Sequence, residues 1–251
     1  MTAATVPIPS ASDRAPARDT PARREPRGGG RWYVRRQMRR AVCRAIEQHL
    51  AGGRDAALVD LGCGDTPYRG LIEPRVGAYV GVDLPENRRA DLALSAAGRT
   101  PLADGAADAV LSTQVLEHVP DPAAYLREAR RLLKPGGTLI LSTHGHWKFH
   151  PHPGDYWRWT SQGLRHAVER AGFEVTECVG VLGLGAAGAV MLQDAVVSRL
   201  PRRLRWPIAT CGQALCAAAD RLHAAAARDR DAAVYFIAAR PTSARSADQH
   251  E

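Results

Sequence analysis

Residues 57–67 read Ala57-Leu58-Val59-Asp60-Leu61-Gly62-Cys63-Gly64-Asp65-Thr66-Pro67. A short run of strand character enters a turn built on two glycines. Small residues there let backbone amides approach a ligand at the C-terminal end of a strand, where open α/β sheets bind cofactors. A dinucleotide fingerprint would place a third glycine at position 67, but Pro67 stands there, which disfavours a pyrophosphate seated on a helix N-terminus. Nineteen residues beyond Gly64, the apolar run 78–84 ends in Gly81-Val82-Asp83-Leu84. Asp83 is thereby placed to accept hydrogen bonds from two ribose hydroxyls.

Outward from this core, strand patterns at 91–94, 109–112, 138–142, 173–181 and 232–238 alternate with helical patterns at 122–133 and 161–171. The turn Lys134-Pro135-Gly136-Gly137 precedes the run at 138. Alternation of this kind implies parallel pairing with crossover helices, hence an α/β fold with helices on both faces of the sheet. Upstream, Tyr33, Val34, Met38, Val42, Ile46 and Leu50 recur mostly three to four apart, which predicts an amphipathic helix over 31–52. Residues 183–230 are Ala-rich and helical in pattern, a helical insertion before the last strand. It is expected to act as a lid or a dimer element through Val190, Met191, Leu192, Val196, Val197 and Leu200.

The 251 residues are 45% hydrophobic and 24% charged, with a formal charge of +8, an ordinary globular composition. The excess is local. Residues 1–45 hold eleven arginines against Asp13, Asp19 and Glu25, and the remainder is balanced at 23 basic and 23 acidic side chains. A nucleic-acid function is therefore not implied by overall charge. Residues 1–30 read as a disordered basic tail and 241–251 as a polar tail. The uncharged stretch 178–193 falls short of the roughly 20 apolar residues of a spanning helix, so no membrane span is expected. Five cysteines without a Cys-x-x-Cys pair point to free thiols in a reducing cytoplasm.

Taken in order, Val59-Asp60-Leu61-Gly62-Cys63-Gly64, Val82-Asp83-Leu84, Pro101-Leu102-Ala103-Asp104-Gly105, Gln114-Val115-Leu116-Glu117-His118-Val119 followed by Asp121-Pro122, and Leu132-Leu133-Lys134-Pro135-Gly136-Gly137 resemble the motif series of class I S-adenosylmethionine-dependent methyltransferases, in particular their small-molecule members. The resemblance covers residues 57–143. It implies a Rossmann-like, seven-stranded, mostly parallel sheet with a reversed last strand. It also implies S-adenosylmethionine as cofactor, held by Asp60, Gly62, Gly64, Asp83, Leu84 and Gln114. Ser95 stands where many members carry an acidic residue for the adenine amino group. A sulfonium cofactor has no phosphate, so Pro67 is compatible with it.

After the strand at 138 the chain runs Thr143-His144-Gly145-His146-Trp147-Lys148-Phe149-His150-Pro151-His152-Pro153-Gly154-Asp155-Tyr156-Trp157-Arg158-Trp159-Thr160. In an open α/β sheet this loop, 144–160, lies over the ligand crevice. Three readings compete: a metal site from these histidines and Asp155, a general base, or a structural loop. The spacing matches no standard zinc pattern and Pro151 and Pro153 restrict convergence, so no metal is expected. A neutral imidazole suits deprotonation of a hydroxyl. His144, His146, His150 and, after the fourth strand, His118 are the candidate bases. Trp147, Asp155, Tyr156 and Arg158 are the candidate acceptor contacts, Arg158 as partner to a carboxylate. Trp157 and Trp159, two apart, would face opposite sides of an extended segment.

The function expected is methyl transfer from S-adenosylmethionine to a small-molecule hydroxyl on a secondary-metabolite or glycosyl scaffold. The expected partners are a small-molecule acceptor and a second copy of the chain, without nucleic acid. Two alternatives are an RNA methyltransferase using the arginine-rich leader and a catalytically inactive cofactor-binding scaffold.

Overall fold

A computed structural model describes residues 8, 30–50 and 53–242. The tails expected at 1–30 and 241–251, and the end of the helix expected over 31–52, fall largely outside them. Among the described residues one sheet holds β1 (Ala57–Leu61), β2 (Ala78–Asp83), β3 (Leu92–Ala93), β4 (Ala107–Thr113), β5 (Leu133–His144), β6 (Phe173–Gly183) and β7 (Ala232–Pro241). Their order in space is β3-β2-β1-β4-β5-β7-β6. The first five strands pair in parallel, and β7 runs antiparallel to both β5 and β6. The seven-stranded sheet with a reversed last strand is therefore present. The strand order changes direction between β1 and β4, and ligands of open sheets bind at that switch point, outside the strands' C-terminal ends.

Helices α1 (Trp32–His49), α2 (Arg69–Ile72), α3 (Pro122–Leu132), α4 (Ser161–Arg170), α5 (Leu184–Val197), α6 (Arg202–Arg221) and α7 (Ala225–Arg230) complete the described chain. Two apolar clusters form its core. One joins Val34, Met38, Val42 and Ile46 of α1 to Leu58, Tyr79, Val190 and Cys216. The other joins Leu126, Leu132, Leu164 and Val168 of α3 and α4 to Val59, Val80, Val110 and Leu139. Neighbouring strand residues 58 and 59 thus point into different clusters, as the alternation of a pleated strand requires. Each fully buried leucine or valine contributes roughly 1.5–3 kcal/mol. Asp121 caps α3 by accepting from the Ala124 N–H at 3.0 Å, with Pro122 in the first turn, a start legible from residue type alone.

Several boundaries differ from the sequence reading, among them β4, which spans Ala107–Thr113, and β7, which runs on to Pro241. Helix α1 stops at His49 because Leu50 is extended. Strand β5 takes in the expected turn 134–137: Leu133 already pairs with Ala107, and a register irregularity before Ala109 accommodates the glycines. Asp108 secures this point by accepting from the Ala57 N–H and the Lys134 ammonium, both at 2.8 Å. Strand β6 continues to Gly183.

The insertion is anchored rather than free-standing. Gln213 of α6 accepts through Oε1 from the Tyr33 and Val34 N–H groups at 3.0 and 3.3 Å, satisfying two of the orphan donors that begin α1. The Tyr33 hydroxyl donates to Asp220 at 2.9 Å, and Asp220 also accepts from the Gly183 N–H at 3.0 Å. Gln193 of α5 donates to the Gly30 carbonyl at 2.7 Å and accepts from Gln213 at 2.8 Å. The apolar set expected as one covering face divides. Val190 is buried in the core, whereas Met191, Leu192 and Val196 are exposed. Successive helical residues point about 100° apart, so 190, 191 and 192 cannot share a face.

Candidate active site

The turn after β1 is held in a conformation that requires its glycines. Gly62 has φ +76° and Gly64 φ +52°, the left-handed region that other residues reach at a cost. A Cβ on Gly62 would lie 2.6 Å from Cγ2 of Val115, whereas one on Gly64 would meet nothing within 4 Å. The Gly64 side of the turn is therefore open. The Gly62 and Cys63 N–H groups donate to the Val82 carbonyl at 2.8 and 3.1 Å, locking the turn to β2.

Asp83, at the end of β2, accepts through Oδ2 from the Gly64 N–H at 2.8 Å and the Asn87 amide at 2.6 Å, and through Oδ1 from the Leu84 N–H at 2.8 Å. Asn87 was not legible as a site residue. It also donates to the Gly64 carbonyl at 2.8 Å, so it ties the carboxylate to the glycine turn. Asp60 is buried at the end of β1. The Tyr79 hydroxyl donates to its Oδ2 at 2.5 Å while Oδ1 has no hydrogen-bond partner. Burial pushes the Asp60 carboxyl up to about 7, because charge is disfavoured away from water.

Gln114 follows β4 with φ +57° and donates through its backbone N–H to the Ser142 carbonyl at 2.9 Å and through its side chain to the Ser142 hydroxyl at 3.2 Å. Ser95 engages its own turn, where its backbone N–H donates to the Arg99 carbonyl and its hydroxyl accepts from the Arg99 N–H at 3.1 Å.

The ends of β4 and β5 bring together four groups that are dispersed in sequence. Glu117 and His144 are 0% and 5% exposed. Glu117 accepts from the Thr143 hydroxyl at 2.8 Å, and its Oε1 lies 2.7 Å from His144 Nδ1, out of line for a hydrogen bond. Burial pushes the Glu117 carboxyl up, but the adjoining His144 ring, with backbone and Thr143 donors, outweighs burial and holds it below the usual carboxylate range. The His150 ring packs edge-on against His144 at 4.7 Å and against His118 at 4.9 Å between centroids. Burial, and then the neighbouring His144, push His150 below the ordinary imidazole value. His118 Nδ1 lies 2.5 Å from the Gly154 carbonyl. A carbonyl only accepts, so Nδ1 carries the proton and Nε2 the lone pair.

His146 does not join this group; it is half exposed and lies 3.6 Å from Asp231. Glu117, absent from the residues singled out by sequence, is the group around which the cluster forms. Its signal in the sequence was its place in the motif Gln114-Val115-Leu116-Glu117-His118-Val119 after the fourth strand.

The expected acceptor contacts are largely loop scaffolding. The Arg158 guanidinium donates to both oxygens of Asp155, at 2.6 and 2.7 Å, and to the carbonyls of Trp147 and Lys148, at 2.9 and 2.6 Å. The loop itself thus supplies the carboxylate that was expected from an acceptor. Asp155 also accepts from the His150 N–H at 2.8 Å, and its carboxyl is held far below the usual range, first by Arg158. Trp147 stacks on His144 at 4.9 Å and 10°, with the Arg31 guanidinium 5.2 Å from its ring. Tyr156 is exposed, its N–H donating to the Glu117 carbonyl at 2.8 Å. Trp157 and Trp159 stack on each other at 5.7 Å. The segment is not an extended strand, so the alternation argument does not apply to it.

A family model described as a methyltransferase domain matches residues 34–178. The chain belongs to the methyltransferase-domain family. A probable S-adenosylmethionine-dependent methyltransferase of Mycolicibacterium smegmatis is 31% identical over 155 residues, 55% of this chain and 60% of that protein. A ubiquinone biosynthesis O-methyltransferase of Cereibacter sphaeroides is 44% identical over 103 residues, 34% of this chain and 40% of that protein. The chain thus spans 60% or less of the length of these curated relatives. Among solved structures, the [4+2]-cyclase SpnF superposes with a TM-score of 0.56 at 20% identity, covering 86% of each chain; this likeness is one of fold.

The cofactor of such a methyltransferase domain is S-adenosylmethionine, and the residues present fit it. The open side of Gly64, the Asp83 carboxylate and the unpartnered Asp60 Oδ1 offer space, a hydrogen-bond acceptor and a buried carboxyl that a cationic ligand without phosphate would draw into its ionised form.

Proposed function

We propose that this chain transfers a methyl group from S-adenosylmethionine to the hydroxyl of a small molecule, of secondary-metabolite or glycosyl type. The observation that carries this reading is the convergence of His118, His144 and His150 beside buried Glu117, at the same C-terminal strand edge as Asp60, Gly64 and Asp83. Bound S-adenosylmethionine supplies an electrophilic methyl group. The chain's own residues hold and orient the reactants and remove one proton. Asp83 binds the ribose hydroxyls and Asp60 faces the cationic portion. His118, its Nδ1 proton fixed on Gly154, takes the hydroxyl proton at Nε2, as a positioned neutral imidazole does near pH 7. The aligned stretch shared with an O-methyltransferase supports oxygen as the acceptor atom. Free thiols at Cys43, Cys63, Cys178, Cys211 and Cys216 support the same enzyme in a reducing cytoplasm. Among the described residues no helix is long and apolar enough to cross a membrane.

The test is transfer of labelled methyl groups from S-adenosylmethionine to a panel of hydroxylated small molecules and to RNA. Incorporation at a small-molecule hydroxyl is expected, and His118→Asn should lower kcat by about 10²–10⁴ with cofactor affinity retained. A second reading, methylation of RNA, is favoured by the exposed arginines 36, 39, 40 and 44 of α1. Labelling of RNA alone, with affinity falling steeply in salt, would establish it instead.

A further inference from the structure

Five buried side-chain polar atoms among the described residues have no hydrogen-bond partner, and three of them belong to one cluster of residues: Glu117 Oε1, His144 Nδ1 and His150 Nδ1. Glu117 Oε1 touches His144 Nδ1 at 2.7 Å and His150 Nδ1 lies 3.6 Å from Asp155 Oδ2, yet none of the three atoms makes a hydrogen bond. Buried polar atoms left without one are costly, which favours a ligand that engages all three residues. One ligand atom from each of Glu117, His144 and His150 lies within 4.8 Å of the other two. From this geometry we infer that Glu117, His144 and His150 form a binding site for a divalent transition-metal ion.

The donor set decides the class of ion. Two imidazole nitrogens and one carboxylate oxygen suit zinc or another late first-row divalent ion, whereas magnesium and calcium take oxygen ligands. Three protein ligands leave a tetrahedral ion with one open position, the pattern of a reactive rather than a structural centre. Tetrahedral donors at about 2.1 Å from zinc stand roughly 3.4 Å apart. An ion would therefore open the 2.7 Å contact between Glu117 and His144 and draw the wider pairs inward.

The surroundings are arranged as a ligand-orienting shell. Trp147 stacks on the His144 ring, Thr143 donates to the other Glu117 oxygen, and Asp155, clamped by Arg158, accepts from the His150 N–H. Linear spacing could not reveal such a site. Its ligands come from the turn after β4, the end of β5 and the following loop, and one of them is not a histidine. The His118 ring, packed on His150, stands beside the centre, so an ion would lie next to the proposed base. The site does not depend on which acceptor is methylated.

The full-length protein should be stripped with a chelator, equilibrated with Zn²⁺, desalted and assayed for metal by mass spectrometry, with Co²⁺ as a spectroscopic substitute. The expected result is about one retained equivalent and a visible tetrahedral Co²⁺ band. Both should be lost in His150→Ala and Glu117→Gln and kept in His152→Ala. His150 lies on the loop, so far-UV circular dichroism of that variant separates loss of a ligand from loss of fold. No stoichiometric retention by the parent, or retention unchanged in folded His150→Ala, would overturn the site. Either result leaves methyl transfer to be judged by its own assay.

Discussion

The Tyr79 hydroxyl donates to Asp60 Oδ2 at 2.5 Å and leaves Oδ1 of the same buried carboxylate bare. With its value pushed up to about 7 by burial, Asp60 is partly protonated near neutrality in the free protein. A cationic ligand beside it favours the ionised form, so binding expels a proton. Affinity for S-adenosylmethionine should rise with pH by up to about tenfold per unit below 7 and level off above it. Stability of the free protein should move the opposite way. The folded state holds the proton more tightly than the unfolded chain, so this contribution is full below about pH 4 and is lost as pH rises through 7. Calorimetry across that range, with Asp60→Asn as a flat-profile control, measures both.

Asp83 is tied to Gly64 and Asn87, so its removal loosens the turn and, under the proposed function, takes from the ribose its acceptor. Asp83→Ala should weaken S-adenosylmethionine binding by about 1.5–3 kcal/mol, the range for hydrogen bonds to a charged group. Unchanged affinity by titration calorimetry would remove Asp83 from the site.

Gly62 combines a left-handed backbone with Val115 packed where a Cβ would stand. Gly62→Ala should destabilise the fold by roughly 2–4 kcal/mol, of which about 1–2 is backbone and the rest overpacking. Adding Val115→Ala should recover only the overpacking part. A double-mutant cycle in urea separates the two contributions, and strict additivity would contradict the contact.

The two-pronged pairing of Arg158 with Asp155, and its hydrogen bonds to two loop carbonyls, depend on a planar fork that lysine lacks. Arg158→Lys should increase amide hydrogen exchange through residues 147–158 by at least about tenfold, with the sheet unaffected. Exchange confined to its parental rate would show that the loop is held by other contacts.

What the sequence made legible was local. The strand and turn at 57–64 with Asp83 after the next strand need only short-range periodicity and glycine chemistry, and Asp121-Pro122 announces α3 through residue type alone. The site's second half was not legible because it depends on distant pairings. Glu117 gains its role only when β4 and β5 lie side by side, and the choice of His118, His144 and His150 over His146 follows from where the chain leaves β5. Arg158 reads in sequence as a partner for an acceptor's carboxylate because nothing local marks Asp155, three residues before it, as its counterion. Gln213 capping α1 across 180 residues has no local signature.

The order β5-β7-β6 also governs how the chain is made. Strand β6 leaves the ribosome some fifty residues before its neighbour β7 exists, and the gap between β5 and β6 is fitted only for that late strand. Until residues 232–241 emerge, two strand edges with unpaired backbone groups stand open, a template for pairing with other nascent chains. The region matched by the family, 34–178, omits the strand that closes the sheet. A chain interrupted by a premature stop in α6 or α7 would therefore be a substrate for chaperones and proteases rather than a smaller folded domain.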